Sequence, residues 1–189
     1  GRSRDRGRPV RTGGVSRRYA KALGDVAAER GILEPVGRDL HAIAGLFKQN
    51  REAASFFANP GIPLADKQRV LQSLAERAEV QPLSANLLGL LLEKRRLLHL
   101  PEIVLAYEGL IDERLNRAKA TVTSAAPLPG PTLEGLRARL GMAIGKEIYL
   151  ETRVDPDIMG GVVAQVGSTI YDGSLRTQLR RMREQLLKG

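Results

Sequence analysis

Two structural regimes follow one another along this sequence, and together they predict a mainly α protein: an N-terminal six-helix bundle followed by a small α/β (α+β) domain. Apolar residues recur at helical spacing from Val15 to about Arg117, with Gly, Asn and Pro at the interruptions. Beyond Arg117 the period shortens to alternation, the mark of strands. The chain has 189 residues, 42% apolar and 27% charged, which is enough for one large core or two small ones and is neither disordered nor membrane-spanning in composition.

In the first regime Ser16 is the expected N-cap of a helix carrying Tyr19, Leu23, Val26 and Ala27 on one face and ending at Gly31. Pro35 suits the first turn of a second helix, with Val36, Leu40, Ile43 and Phe47 on its stripe before Asn50. A short third helix around Ala53, Phe56 and Phe57 ends at Asn59-Pro60. Pro63 opens a fourth, striped by Leu64, Leu71, Leu74 and Ala78, and Pro82 opens a fifth. The fifth, with Leu83, Leu87, Leu88, Leu90, Leu91 and Leu92, is apolar on more than one stripe, so it is expected to be buried on several sides or shared with a partner. Pro101 starts the sixth, which carries Ile103, Tyr107 and Leu110 beside Val104, Ile111 and Leu115. The domain limits read from this pattern are 1–14 for a tail, 15–117 for the bundle and 118–189 for the second unit.

In the second regime Ala120 to Ser124 reads as a strand, followed by a stiff turn of Pro127, Pro129, Gly130 and Pro131 and a helix capped by Thr132. Ile148, Leu150, Thr152 and Val154 alternate in a second strand that stops at Asp155-Pro156. Val162 to Val166 and Thr169 to Tyr171 form a hairpin about Gly167-Ser168, and a last helix from Ser174 carries Leu175, Leu179, Met182 and Leu186 against a basic remainder. A unit of about 70 residues with few aromatic side chains buries only a marginal core, so it is expected to lean on a partner.

No catalytic apparatus is visible. The chain has no Cys, and His41 and His99 are too few and too far apart for a metal site, so neither metal nor cofactor is expected. His41, beside the apolar stripe of the second helix, reads as a partly buried packing residue, and His99 as a helix boundary. Gly141 to Lys146 (GMAIGK) resembles a phosphate loop, but it has one residue too few between its glycines and lies in and at the end of a helix rather than before one. Asp155, Asp157 and Asp172 are turn residues, and Ser168 and Ser174 lack a nucleophile motif. Gly160-Gly161 after Met159 suits a bulge or a close backbone approach.

Thirty basic residues against 21 acidic ones give a charge of +9, a field suited to nucleic acid, an anionic surface or an acidic partner. Five arginines and one aspartate of that balance lie in residues 1–14, read as a flexible, solvated terminus, with a transit remnant or a nucleic-acid arm as alternatives. Nucleic-acid binding remains the alternative function. Against it, Tyr149 and Tyr171 lie in no RNP-like strand, and the candidate helices are Leu-rich where a recognition helix is polar. No run approaches the ~18 apolar residues of a membrane helix, so membrane association is expected to be peripheral.

Four segments in order, RRYAKAL, FFANPGIPLADKQRVL, SANLLGLLLEKRRLLHLPEIVLAY and VDPDIMGGVVAQVGSTIYDGSLRTQLRRM, make the chain from about Val15 to Leu186 resemble the delta subunit family of F-type ATP synthases, the oligomycin-sensitivity-conferring protein family of mitochondria. The last segment is the most specific: an acidic turn, Ile-Met-Gly-Gly, a hairpin and a closing helix. Arg95-Arg96-Leu97 departs from the Asn-Gly-Arg or Asn-Lys-Arg that many members carry before Leu.

The resemblance implies a six-helix bundle, a smaller α/β domain and a non-catalytic stator role in a proton-translocating ATP synthase. The subunit would link the alpha/beta head to the peripheral-stalk b subunits so that the head resists rotor torque and proton flow is coupled to ATP synthesis. The implied partners are N-terminal helices of alpha subunits, beta subunits and b subunits, with no nucleic acid and only indirect membrane contact. The implied place is the cytoplasmic face of a bacterial inner membrane, with an organellar inner or thylakoid membrane as the alternative. Carried onto this sequence, an alpha helix would dock between the first and fifth helices on Tyr19, Leu23, Val26, Leu87, Leu88, Leu91 and Arg95. The b subunits would be held by Met159, Gly160, Gly161, Leu175, Leu179, Met182 and Leu186. Leu88→Asp is then expected to weaken docking while the bundle stays folded, and a chain ending at Arg117 to fold and bind the head without the stalk.

Overall fold

A computed structural model describes residues 13–158, 161–171 and 183–188. The chain divides into two compact units between Ile111 and Asp112. Residues 1–12, Met159, Gly160 and the stretch 172–182, with Leu175, Leu179, Met182 and most of the expected last helix, lie outside the described residues; 183–187 are helical.

The first unit consists of α1 (Gly14–Glu29), α2 (Leu33–Gln49), α3 (Arg51–Ala58), α4 (Leu64–Arg77), α5 (Pro82–Glu93) and α6 (Leu100–Arg114) up to Ile111, the last turn of α6 from Asp112 belonging to the second unit, with a 3-10 turn at Leu97–His99 leading into α6. Three helix ends share one device. After α1, Gly31 takes the left-handed conformation (φ 68°), and Gly31 N–H donates to Ala28 O and Ile32 N–H to Ala27 O. The same bond pairs close α4 at Glu79 (φ 51°) and α5 at Arg95 (φ 57°), positions where a side chain makes this conformation costly.

Helix starts depend on distant residues. Ser16 does not cap α1; the helix begins at Gly14, and Ser16 is a buried residue inside it whose Oγ donates to Glu102 Oε2 of α6 (3.2 Å). The start of α5 has no cap of its own, and Asp39 Oδ2 of α2 accepts from Gln81 N–H (2.8 Å) and Ser84 Oγ (2.7 Å).

The core of this unit is aliphatic and continuous. Leu40 and Ile43 of α2, Leu88 and Leu91 of α5, and Leu100, Ile103 and Tyr107 of α6 are almost fully buried. Tyr107 keeps its hydroxyl satisfied by donating to Leu33 O (2.6 Å), and Phe47, Phe56 and Phe57 meet edge to face. His41 is not a packing residue: it is three-quarters exposed on α2, with Nδ1 3.1 Å from Glu108 Oε1 of α6. Its place beside the apolar stripe lies just beyond the buried arc.

The second unit is a four-stranded sheet of order β2-β1-β3-β4, formed by β1 (Arg117–Ser124), β2 (Glu147–Val154), β3 (Val162–Val166) and β4 (Thr169–Tyr171). Helix α7 (Gly130–Ile144) connects β1 to β2, which run parallel, whereas β1 pairs antiparallel with β3 and β3 with β4. β1 begins earlier than alternation alone indicated, because Arg117 and Lys119 stand in register with Glu147 and Tyr149 of β2. α7 also begins earlier, at Gly130, so Pro131 belongs to its first turn and Thr132 is no cap; proline there gives up an N–H that the helix does not need. Gly167 (φ 59°) makes the β3–β4 turn where the hairpin was expected. Ala120, Val122, Leu140, Ile148 and Ala164 form the core between the sheet and α7.

Candidate partner-docking surface

α5 is the axis of the candidate surface, and 3.6-residue periodicity assigns its sides. Ser84, Leu87, Leu88, Leu91 and Leu92 face inward and are buried. Ala85, Asn86 and Gly89 line a groove shared with α4, of about 540 Å³. On the other flank, Leu83, Leu87, Leu90 and Lys94 form a stripe directed away from α4, on which Leu90 is 41% exposed.

The expected groove residues therefore divide. Leu88 and Leu91 are fully buried core residues, and Leu23 and Leu87 are buried as well, so none of the four presents a free face in this chain. Leu88→Asp would place a charge in the bundle core and does not test docking alone. Tyr19 and Val26 are half-buried on α1 and remain accessible. Arg95 does not stand with them: it lines a cleft of about 610 Å³ at the α3–α4 corner with Phe57, Ile62, Leu64 and Leu98. Its neighbour Arg96 takes the α1 side, with Cζ 5.8 Å from the Tyr19 ring centre and Nη1 donating to Tyr19 Oη (3.3 Å). The left-handed turn at Arg95 separates the two arginines. Periodicity could have found Leu90 as the outward leucine of α5; the Arg96–Tyr19 contact spans 77 positions and left no local signal.

In the second unit, Gly161 is half-buried, Leu186 is 76% exposed and Leu187 equally so. The sheet face opposite α7 is polar. Asp112 accepts from Arg117 Nε (2.9 Å) and Tyr149 Oη (2.7 Å), and Arg117 stacks over the Tyr149 ring. Lys119 and Arg153 flank Glu151; the Lys119 contact, with that of Arg153 second to it, holds the Glu151 carboxyl below the usual range.

The GMAIGK segment ends α7, with Gly145 left-handed (φ 74°) and its N–H donating back to Gly141 O, so the backbone donors a phosphate needs are turned into the helix. Asp155 Oδ1 accepts from Asp157 N–H (3.0 Å), ordinary turn chemistry. Among the described residues there is no cluster of metal-ligating side chains, and no helix is long and apolar enough to cross a membrane.

A six-helix bundle whose fifth helix is apolar beyond a single stripe, followed by a small α/β unit, defines a two-unit protein of the mainly α class. The comparisons with known proteins say which. The family described as "ATP synthase delta (OSCP) subunit" matches residues 15–186. ATP synthase subunit delta of Geobacter sp. (strain M21) is 36% identical over 178 residues, covering 94% of this chain and 99% of that one. The same subunit of Myxococcus xanthus is 41% identical over 174 residues, covering 91% and 96%. A chain in the cryo-EM structure of the Toxoplasma gondii mitochondrial ATP synthase hexamer superposes with a TM-score of 0.66 at 28% identity, covering 93% of this chain and 98% of that one. The chain belongs to the ATP synthase delta (OSCP) subunit family. It is a stator subunit of the ATP synthase and takes no catalytic part itself.

Proposed function

We propose that the helical unit receives N-terminal helices of the alpha subunits along the flank between α1 and α5, beside the beta subunits, and that the second unit holds the stalk b subunits. The observation that carries the reading is α5 itself: with its inner side buried, it still turns Leu90 outward beside the half-buried Leu83, while α1 offers Tyr19 and Val26. Leu23, Leu87, Leu88 and Leu91 support that flank from beneath. A stator must withstand torque without dissociating. Apolar burial at about 1.5–3 kcal/mol per large side chain, before binding costs, suits that task better than exposed ion pairs at about 0–1 kcal/mol.

In the second unit the exposed Leu186 and the half-buried Gly161 are the described candidates for holding b subunits; Met159, Gly160, Leu175, Leu179 and Met182 complete the set from outside the described residues. The bacterial sources of the delta relatives support a place at the cytoplasmic face of a bacterial inner membrane, held there through the complex.

The test is capture of the tagged full chain from its native membranes after nuclease treatment, at low and high salt, with subunits identified by mass spectrometry. Alpha, beta and b subunits are expected to persist through high salt, and Leu90→Asp to lose alpha and beta while keeping b. Recovery of nucleic-acid-dependent partners alone would overturn the reading in favour of the basic charge.

A further inference from the structure

Where α3 and α5 end and α4 begins, the fold leaves a cleft of about 610 Å³, within the about 300–1,000 Å³ of small-molecule sites. Its walls are helix ends and turns, a corner rather than a trough running along one helix, which suits a compact ligand. Leu64 (45% exposed) and Leu98 (50%) form an apolar rim above the buried Phe57, Leu92 and Leu97. The turn that closes the corner is already set: Gly61 N–H donates to Asn59 Oδ1 (2.9 Å) and Ile62 N–H to Asn59 O (3.3 Å), with Pro60 and Pro63 limiting the backbone.

The charges on this cleft are unequal. Lys67 and Arg95 line it against Glu93 alone, and none of the three side chains makes a hydrogen bond or an ion pair among the described residues. Arg95 is also held in the left-handed conformation (φ 57°), which is costly for a residue with a Cβ, and no polar contact of its guanidinium offsets that cost. Glu79 bears the same backbone cost at the end of α4. What sets Arg95 apart is its place beside a second unpaired cation on an apolar rim.

We propose that this corner binds a small anionic amphiphile, a carboxylate on an aliphatic chain. The chain covers Leu64 and Leu98, and the carboxylate meets the ammonium of Lys67 and the guanidinium of Arg95. Apolar burial supplies most of the affinity, and the two cations select the sign of the head group. The site is separate from the α1/α5 flank, and either can fail without the other.

The test titrates decanoate, acetate and decyltrimethylammonium into the full chain by isothermal titration calorimetry, each amphiphile below the concentration at which it forms micelles. Decanoate is expected to bind at least about tenfold more tightly than either of the others. Leu98→Asp, on an exposed side chain, should weaken decanoate binding at least about tenfold by removing apolar cover and repelling the carboxylate. Arg95→Gly should weaken it by about fivefold, and Lys67→Gln by as much. Because Arg95→Gly relieves the left-handed residue, its loss of binding should come without a loss of stability in urea, which a purely structural role for Arg95 would not allow. Glu93→Gln should tighten binding about twofold, and Leu90→Asp should leave it unchanged. The proposal is overturned if decanoate does not bind, if acetate binds as tightly, or if decyltrimethylammonium does, which would reduce the effect to unselective adsorption of a detergent. Decanoate binding that survives both Leu98→Asp and Arg95→Gly overturns it as well. So does loss of binding in Leu90→Asp, which would place the ligand on the α1 flank.

Discussion

The two units solve the problem of a stable core on different scales. In the helical unit twenty buried side chains from all six helices form one cluster, whereas in the sheet unit five do, among the described residues. The larger cluster includes Leu, Ile, Phe and Tyr on facing helices; the smaller depends on Leu140 of α7 and Ile148 of β2 over the small Ala120 and Ala164. Burial stabilises roughly in proportion to apolar area, so the helical unit should tolerate losses that dissolve the sheet unit.

The sharpest way to break that comparison is to attack the larger core with a charge. Leu88→Asp should cost more than about 4 kcal/mol and unfold the helical unit, seen as loss of the cooperative helical melt by circular dichroism. A variant that keeps the wild-type melting temperature would mean that Leu88 reaches solvent. Next in size, Leu140→Ala should cost about 2–5 kcal/mol, enough to leave the sheet unit largely open while the helical unit persists. Amide hydrogen exchange would then lose protection in the four strands and α7 only; equal loss in α2 and α5 would join the two units into one cooperative fold.

Smaller effects sharpen the picture within each unit. Tyr107→Phe removes the bond to Leu33 O and should destabilise the helical unit by about 1 kcal/mol in urea denaturation. Arg95→Gly relieves a left-handed residue and should stabilise it by up to about 1 kcal/mol; a loss of stability there would show that the Arg95 side chain is worth more to the α3–α4 corner than its backbone conformation costs. In the sheet unit, Glu151 has a lowered pKa when folded. Its contribution is fully present above the ordinary Glu value of about 4.3 and is lost as pH falls through the lower folded value. Glu151→Gln should therefore flatten the acid limb of the sheet unit's urea midpoint below about pH 4, a small change because Lys119 and Glu151 are both partly exposed.

Much of this architecture could be read from the chain, and the reasons differ from element to element. Gly31 ends α1 because a residue at φ 68° favours glycine, and Gly167 turns the β3–β4 hairpin for the same reason; such positions announce themselves locally. Pro63, Pro82 and Pro101 mark helix starts because each helix begins with N–H groups that need no internal partner. Ser16 misled because its type fits a cap, yet Glu102, 86 positions away, takes its hydroxyl. Pro131 misled because a Pro-Gly-Pro run suits both a turn and the first turn of a helix. The proposed docking surface was legible as a helix and illegible as a face: periodicity identified α5 as over-apolar, and the residues carried over by the resemblance included Leu88, which is buried, and not Leu90, which is exposed.

By itself the sequence determined the order of elements, the switch from bundle to sheet, the absence of cysteine chemistry and the membership in the ATP synthase delta family, because helical period, turn residues and family segments are written in near neighbours. Only the tertiary structure decided which side of α5 is free, that Arg96 rather than Arg95 stacks on Tyr19, and that Asp39 holds the start of α5. Those outcomes depend on which distant helix covers a given arc, and a repeat of 3.6 residues sets the angle of each side chain without naming what it will meet.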